Sequence, residues 1–278
     1  MILIDNRNNS DPNINAAIED FLVRHLDTGE ETYVMLYIND PCVVVGKNQC
    51  IYREVNFDYL REEKPVIRRI SGGGTVYHDE GNLCFAFVVK HEDSHVNNYK
   101  HFNQPIVDIL QKASINAVFN TRNDILWHGK KISGNAQFTD RKNIISHGTM
   151  LVNSDLEKLR FALKENSFTI ETKAVSSTRS SVMNISEVSE KFSTAQDLKE
   201  HFSKELPITS LRSFTDKEWS TINESANTKF KSFEWTWGRN PHTQIIKEGL
   251  SIDIENGIIT KSSKLELIGK LFTGHMPI

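Results

Sequence analysis

Two arginines and three glycines stand in one unbroken stretch, Arg68-Arg69-Ile70-Ser71-Gly72-Gly73-Gly74-Thr75-Val76-Tyr77-His78-Asp79. Consecutive glycines permit positive φ and let the backbone approach a ligand with no Cβ in the way. Successive N–H groups in such a run can cradle an anion, and adjacent guanidinium groups offer paired donors to a carboxylate or phosphate. The stretch lacks the GK[ST] ending of a P-loop and the spacing of a dinucleotide fingerprint. A bare glycine triplet is also what a flexible surface turn looks like. The arginines on one side and His78-Asp79 on the other weigh toward a site.

A second stretch runs Asn123-Asp124-Ile125, then Lys130-Lys131-Ile132-Ser133-Gly134-Asn135-Ala136. It sets two ammonium groups beside a small, polar, open backbone. Neighbours on a hairpin strand face opposite sides, so only one of the two lysines can point inward. By itself the pattern equally fits a hairpin edge kept soluble by its lysines. His147-Gly148-Thr149-Met150-Leu151 lies in a strand-like run, and Ser176-Ser177-Thr178-Arg179-Ser180-Ser181-Val182-Met183-Asn184 reads by composition as loop. His78 and Asp79 read as pins of their loop, and Cys84, inside an apolar run, as a buried core thiol.

The elements that must position these residues follow from periodicity. Asp11-Pro12-Asn13 signals a helix start, and apolar residues then recur at Ile14, Ala17, Ile18, Phe21, Leu22 and Leu26. Strands are expected at Thr32–Ile38 and Cys42–Val45 around the Asn39-Asp40-Pro41 turn, and a short helix over 57–63. Strands at Val66–Ile70 and Leu83–Val89 flank the glycine triplet. A helix is expected over 102–113, with Pro105 near its first turn. Ile125–Trp127 and Lys131–Phe138 read as a hairpin tipped by His128-Gly129. A strand over Ile144–Val152, helices at 155–164, 195–205 and 216–227, a loop at 173–186 and a hairpin at 250–260 complete the pattern. Strands and helices mix without strict alternation. The fold class expected is α+β, mixed β-sheets flanked by helices.

Composition narrows the function. Lys plus Arg number 33 against 36 Asp plus Glu, a net charge of −3, which excludes a generally basic nucleic-acid coat; any anion site must be local. The longest apolar runs fall far short of the ~20 residues of a membrane span. Three cysteines with no CxxC spacing argue against a disulfide framework or structural zinc, and the first residues resemble a strand rather than a signal peptide. A reducing, cytoplasmic compartment is the expectation, with neither nucleic acid nor membrane as partner.

Taken together the motifs are specific. RRISGGGTVYHDEGNLCF (Arg68 to Phe85), NDI followed by GKKISGNAQ (Asn123 to Gln137), HGTML and SSTRSSVMNI resemble, in the same order, the lipoate–protein ligase family of the wider biotin/lipoate ligase and transferase fold. The resemblance covers about residues 1–245, a catalytic domain. Residues 246–278 would be a short C-terminal accessory segment, too small to be stable alone, so that it either docks on the main domain or is a truncated remnant of the family's accessory domain.

The family implies a two-step reaction. Lipoate and ATP give lipoyl-adenylate and pyrophosphate, and the acyl group passes to a lysine of a lipoyl-domain acceptor. Acceptors implied are the acyltransferase subunits of 2-oxoacid dehydrogenases and the glycine cleavage H protein, with lipoate or octanoate as the acid. Carboxylate meeting phosphate is anion against anion: unit charges ~4 Å apart repel by ~1 kcal/mol in water and ~4 kcal/mol at an effective dielectric of ~20. Cations must offset this, and ATP-bound Mg²⁺, a lysine and an arginine are the natural set.

By similarity Lys131 is the catalytic lysine, bridging carboxylate and α-phosphate as a charged clamp. The resemblance gives Arg69, Ser71, Gly72, Gly73, Gly74, Val76 and Tyr77 to the lipoate and adenylate, the last two through their backbone. It gives Asn82, Asn123 and Asp124 to the ribose-phosphate side, with Asp124 toward Mg²⁺. Ser133, Gly134, Ala136, His147, Gly148 and Thr149 would line the site, and Arg179 belongs to a 177–182 loop closing over the adenylate. Two rivals share these motifs. One is an ATP-independent lipoyl or octanoyl transferase, whose cysteine form would have to use Cys84. The other is an inactive module that holds a nucleotide or a lipoyl domain.

Overall fold

The computed structural model describes residues 1–62 and 64–274; Glu63, at the end of the expected 57–63 helix, and residues 275–278 of the C-terminal segment lie outside the described residues. The chain forms two compact units, one from Met1–Asp40, His78–Asp155 and Arg179–Asn223, the other from Pro41–Tyr77, Leu156–Thr178 and the chain from Glu224 onward. Mixed sheets with helices make it α+β.

In the first unit Asp11 caps the helix Pro12–His25 by accepting from the Asn13 N–H, with proline at the first helical position where no donor is lost. The main sheet has six strands in the order Asn135–Thr139, Asn143–Leu151, Asn82–Lys90, Tyr33–Ile38, Ile2–Ile4, Ser210–Arg212. The first four pair antiparallel, and Ile2–Ile4 pairs parallel with both its neighbours. Strand Asn82–Lys90 is buried at every position but Lys90, because both its faces are covered. One face, through Leu83, Phe85, Phe87 and Val89, shares a core with Phe102 and Ile106 of helix Tyr99–Lys112 and Leu198 and Phe202 of helix Ala195–Glu205. Helix Pro12–His25 packs on the same sheet and reaches its other face through Glu19, bonded to Tyr37 and His147. A three-stranded antiparallel sheet, Val118–Phe119, Ile125–Trp127, Lys130–Ser133, completes the unit.

The second unit holds the sheet ordered Val66–Arg68, Cys42–Val45, Val76–His78 and a four-stranded antiparallel sheet of Thr169–Thr172, Thr243–Lys247, Leu250–Glu255 and Ile258–Ser262. Ile252, Ile254, Ile259 and Phe272 are buried in one core with Val43, Tyr52 and Phe57, so the described residues after 245 are packed rather than pendant.

Several elements differ from the sequence expectation. The run Lys131–Phe138 is two strands: Lys130–Ser133 pairs with Ile125–Trp127, while Asn135–Thr139 joins the six-stranded sheet. The chain changes sheet at Gly134, whose carbonyl accepts from the Thr149 N–H (3.0 Å). The helix expected at 102–113 begins a turn earlier, at Tyr99, because Asn98 caps it by accepting from the His101 N–H, which leaves Pro105 inside the helix. Helix Asp216–Ser225 stops short of 227 and gives way to a wider turn over Ala226–Phe230. Strand Thr169–Thr172 precedes the 173–186 segment, which carries a bridge at Val182 and a 3₁₀ turn at Ile185–Glu187. Among the described residues no helix is long and apolar enough to cross a membrane.

Gly81 tests how tightly the first unit is closed. A Cβ there would lie 2.1 Å from the Asn153 carbonyl oxygen, and the Gly81 carbonyl accepts from Val152 (3.0 Å) and Asn153 (2.9 Å). Gly81→Ala therefore forces backbone apart and should cost about 1–3 kcal/mol. In urea unfolding the midpoint should fall with little change in slope; an unmoved midpoint would contradict this packing.

Candidate active site

The glycine loop belongs to the second unit and is organised from within by Arg69. That buried guanidinium donates to the carbonyls of Gly72 (2.5 Å from Nη2, 3.1 Å from Nε), Gly74 (2.8 Å) and Val44 (3.2 Å) and to Ser71 Oγ (2.9 Å). In a trans peptide the C=O and the following N–H point opposite ways. Turning the Gly72 and Gly74 carbonyls onto Arg69 therefore turns the Gly73 and Thr75 N–H groups away from it. Gly73 has φ +87°, a conformation that favours glycine, and a Cβ on Gly46 would lie 2.2 Å from the Gly73 carbonyl oxygen. Gly72, Gly73 and Gly74 are exposed, Ser71 is buried and Val76 is half-buried. Tyr77 sends its side chain into the unit's core and has only backbone to offer a ligand.

Arg68 lies beneath. Its fully buried guanidinium makes six hydrogen bonds, to the carbonyls of Thr236 (twice), Gly46, Lys47 and Gln49 and to Asn240 Oδ1. Every acceptor is neutral. Burial pulls its pKa down to about 10, still well above neutrality, so the charge persists, solvated by dipoles instead of cancelled by a contacting carboxylate.

In the first unit Lys131 Nζ lies 2.8 Å from Asp124 Oδ1. Asp124 is itself held: its Oδ2 accepts from Asn120 Nδ2 (2.9 Å) and its N–H donates to Asn120 Oδ1 (2.9 Å). Asn123 stands at φ +68°, where asparagine is tolerated, and its carbonyl accepts from Asn135 Nδ2 (2.9 Å). A Cβ on Gly134 would lie 2.9 Å from both Cε and Nζ of Lys131, so the lysine side chain runs across the bare face of Gly134. Lys130 is exposed, as strand alternation requires. The serine-rich segment is tied to the same lysine: the Lys131 N–H donates to Ser181 O (2.8 Å) and Lys131 O accepts from Met183 N–H (3.1 Å). Ser133 is buried in the same strand, and Arg179, near the start of the segment, is exposed.

Strand register places Ala136, His147 and Ala86 side by side, and Cys84 beside Thr149 and Tyr37, on one face of the main sheet. There His147 Nδ1 lies 2.7 Å from Glu19 Oε2, and Tyr37 Oη donates to Glu19 Oε1 (2.9 Å), a buried polar chain. Gly148 lies on the opposite face, where a Cβ would come within 2.1 Å of Asn135 Oδ1 and 2.5 Å of Phe85. Asn82 is fully buried and donates to Cys84 Sγ (3.3 Å). Cys84 also contacts His78 Nδ1 (3.6 Å), and all three cysteines are buried. His78 meets Asn39 (3.0 Å), and Asp79 accepts from the N–H groups of Gly81 (3.0 Å) and Asp155 (2.8 Å), so these bonds hold the Asp79–Gly81 turn rather than the glycine triplet.

The structure thus gathers Arg69, Ser71, Gly72–Gly74, Val76 and Tyr77 in one unit, and Asn123, Asp124, Lys131, Ser133 and Gly134 in the other. Several participants carried no readable signal: Gln49, Thr75, Arg68 as a buried charge, and Asn120. Glu19 had one, a carboxylate next to Ile18 on the apolar face of its helix. For Mg²⁺ the residues offer one carboxylate, Asp124. Among the described residues no cluster of three or more His, Cys, Asp or Glu could hold a metal ion. That set suits an ion carried mainly by nucleotide phosphates, since Mg²⁺ commonly takes one or two protein carboxylates besides phosphate and water.

The fold is α+β, with a glycine loop organised by Arg69 in one unit and a lysine held by Asp124 in the other. Residues 11–207 match the family model for the lipoyl protein ligase A/B catalytic domain, and the chain belongs to the lipoate–protein ligase family. It is 39% identical to lipoate-protein ligase LplJ of Bacillus subtilis over 248 residues, 87% of this chain and 75% of that one. It superposes on the bi-partite lipoate protein ligase of Thermoplasma acidophilum, described with its E2 lipoyl domain, with a TM-score of 0.69 at 26% identity, covering 84% of this chain and 95% of that one. It also resembles a lipoate-protein ligase A bound with ATP, with a TM-score of 0.66 at 27% identity, covering 84% and 97%.

If Asp124 holds the Lys131 ammonium, Asp124→Asn should free it. Brief acetic anhydride labelling read by mass spectrometry should then show Lys131 modified about two- to fivefold faster, with Lys130 unchanged as internal control, as expected when a partly buried ion pair is lost. Equal Lys131 labelling in both chains would refute the clamp.

Proposed function

We propose that this ligase uses ATP to activate lipoate and transfers the acyl group to a lysine of a lipoyl domain, and that Lys131 is its catalytic residue. The observation that carries the assignment is the Lys131 ammonium, fixed by Asp124 at 2.8 Å and laid across Gly134, with no side chain between it and the open backbone there. A lipoate carboxylate oxygen bonds to the α-phosphorus of ATP, the bond to the bridging oxygen breaks, and pyrophosphate leaves with that electron pair. The acceptor's lysine amine then attacks the acyl carbon and AMP departs, the amine's proton passing to solvent.

Lys131 works charged. It offsets the repulsion between carboxylate and phosphate, and it stabilises charge growing on the α-phosphate oxygens more than charge already present. Within the second unit, the N–H groups that Arg69 turns outward suit an oxyanion, with the buried charge of Arg68 beneath them. Asp124, with Asn123 and Asn82 on the ribose-phosphate side, would hold Mg²⁺ on the nucleotide, where the ion neutralises phosphate charge. His147 and Thr149, on the sheet face that also carries Ala136, would stand in the wall beside the acyl tail of lipoate or octanoate. Arg179 would act with the 177–182 segment over the adenylate.

We take residues 1–245 as the catalytic part and 246–278 as its accessory segment. The acceptors are 2-oxoacid dehydrogenase acyltransferase subunits or the glycine cleavage H protein, met in the cytoplasm. The cysteine-dependent transferase reading is disfavoured by the buried position of Cys84. An inactive module is disfavoured by the construction around Lys131.

Lys131→Ala should lower lipoate-dependent ATP–pyrophosphate exchange by about 10²–10³-fold, the usual cost of removing one transition-state donor. Its melting temperature should stay within a few degrees of the parent. Exchange at parental rate would overturn the role of Lys131.

A further inference from the structure

Ser177 connects the serine-rich segment to the glycine loop inside the second unit. Its hydroxyl oxygen accepts from the Thr75 N–H (2.8 Å) and from Gln49 Nε2 (2.9 Å). The orientation of Gln49 is fixed independently. Its Oε1 accepts from the Gly46 N–H (3.0 Å) and from the Thr75 hydroxyl (2.8 Å), which forces its amide NH₂ toward Ser177. Two donors on rigid backbone and a buried amide therefore converge on one oxygen. Convergent donors of this kind suit one oxygen of a carboxylate or phosphate, because a charged acceptor forms the stronger bonds. Thr75 supplies one of the two N–H groups that Arg69 turns outward. Gly74 has no Cβ to keep Ser177 off: one there would stand 3.1 Å from the Ser177 hydroxyl.

We propose that Ser177 is a self-ligand of the glycine loop: its hydroxyl fills an oxyanion position on Thr75 and Gln49, and the anionic group of the substrate displaces it. The proposal rests on the ligase reading of this loop. The exchange needs little rearrangement. The Ser177 N–H is held separately by both carboxylate oxygens of the buried Glu54 (3.2 Å each), and Arg53 donates to the carbonyls of Ala174 and Thr172. The backbone of the segment can thus stay anchored while the side chain rotates about χ1 and vacates the two donors. Free protein keeps its oxyanion donors satisfied, and bound substrate competes with a neutral hydroxyl on equal geometry but with more charge.

The ligand oxygen comes either from the lipoate carboxylate or from an ATP phosphate. Calorimetric titration of the full chain with lipoate alone and with MgATP alone distinguishes them. Removing the competitor by Ser177→Ala should tighten one of the two ligands about fivefold, the factor equivalent to one net hydrogen bond. Ser177→Thr, which keeps the hydroxyl, should stay within about twofold of the parent. The ligand that tightens identifies the source. If both bind Ser177→Ala as before or more weakly, the self-ligand proposal is wrong. Absence of lipoate-dependent exchange in the unaltered chain would sink the ligase reading instead, and leave the titration comparison standing.

Discussion

A backbone oxyanion site exists only if the carbonyls that accompany its N–H groups are dealt with, and here a guanidinium does that. Arg69 gathers the carbonyls of Gly72, Gly74 and Val44 onto one buried cation. Each carbonyl drawn inward sends the next N–H outward, so the cation shapes the loop by hydrogen bonding and leaves its outer edge to backbone N–H groups. An arginine beside a glycine run invites the reading that it grips the anion directly. The geometry gives Arg69 an earlier task, and most of its donor capacity is spent on its own loop. The three glycines supply the φ freedom that lets the carbonyls turn, with Gly73 at +87° as the turning point.

The lysine is placed by a complementary device. A strand lysine normally extends into solvent, as Lys130 does, and its entropy resists any single geometry. Lys131 is confined from three directions: Asp124 at its tip, Gly134 beneath its last methylene, and backbone hydrogen bonds to Ser181 and Met183 at its base. The Asn120 amide fixes Asp124 in turn. An isolated pair this close to solvent stabilises the fold little. Its consequence is positional, and in the proposed role of Lys131 a preorganised cation need not be reoriented when charge develops on the phosphate.

Local features were legible in the sequence, and non-local pairings were not. Asp11-Pro12 announced the helix Pro12–His25, and alternation along a strand required Lys130 and Lys131 to face opposite ways, with Lys130 exposed and Lys131 half-buried in the structure. The motif order gave the family because unusual residues, the glycine triplet and the paired lysines, cluster in a few short segments. The break at Gly134 was hidden because a glycine in a strand pattern does not say which sheet its two sides will join; the choice was made by pairing with Asn143–Leu151, a partner visible only in the fold. Pro105 suggested a later helix start than the structure has, since the cap at Asn98 outweighed it. Gln49 and Ser177 are 128 positions apart, and neither type is chemically conspicuous, so no spacing rule could have paired them.

Charge balance shows why the site had to be built this way. The chain is net acidic, at −3, so it has no general field to attract a triphosphate or a fatty-acid-like anion. Attraction must come from local groups, and a cation with no carboxylate on it attracts more strongly than one paired as Lys131 is with Asp124. Arg68 is the extreme case. It is fully buried with only carbonyl and amide oxygens as acceptors, so it keeps its hydrogen bonds satisfied while its charge still acts at a distance. A contacting carboxylate would have stabilised that guanidinium more directly and erased the field. Retaining a buried, dipole-solvated charge makes sense where the counter-ion is meant to arrive with the substrate, and that is the condition an enzyme joining a carboxylate to a phosphate has to meet.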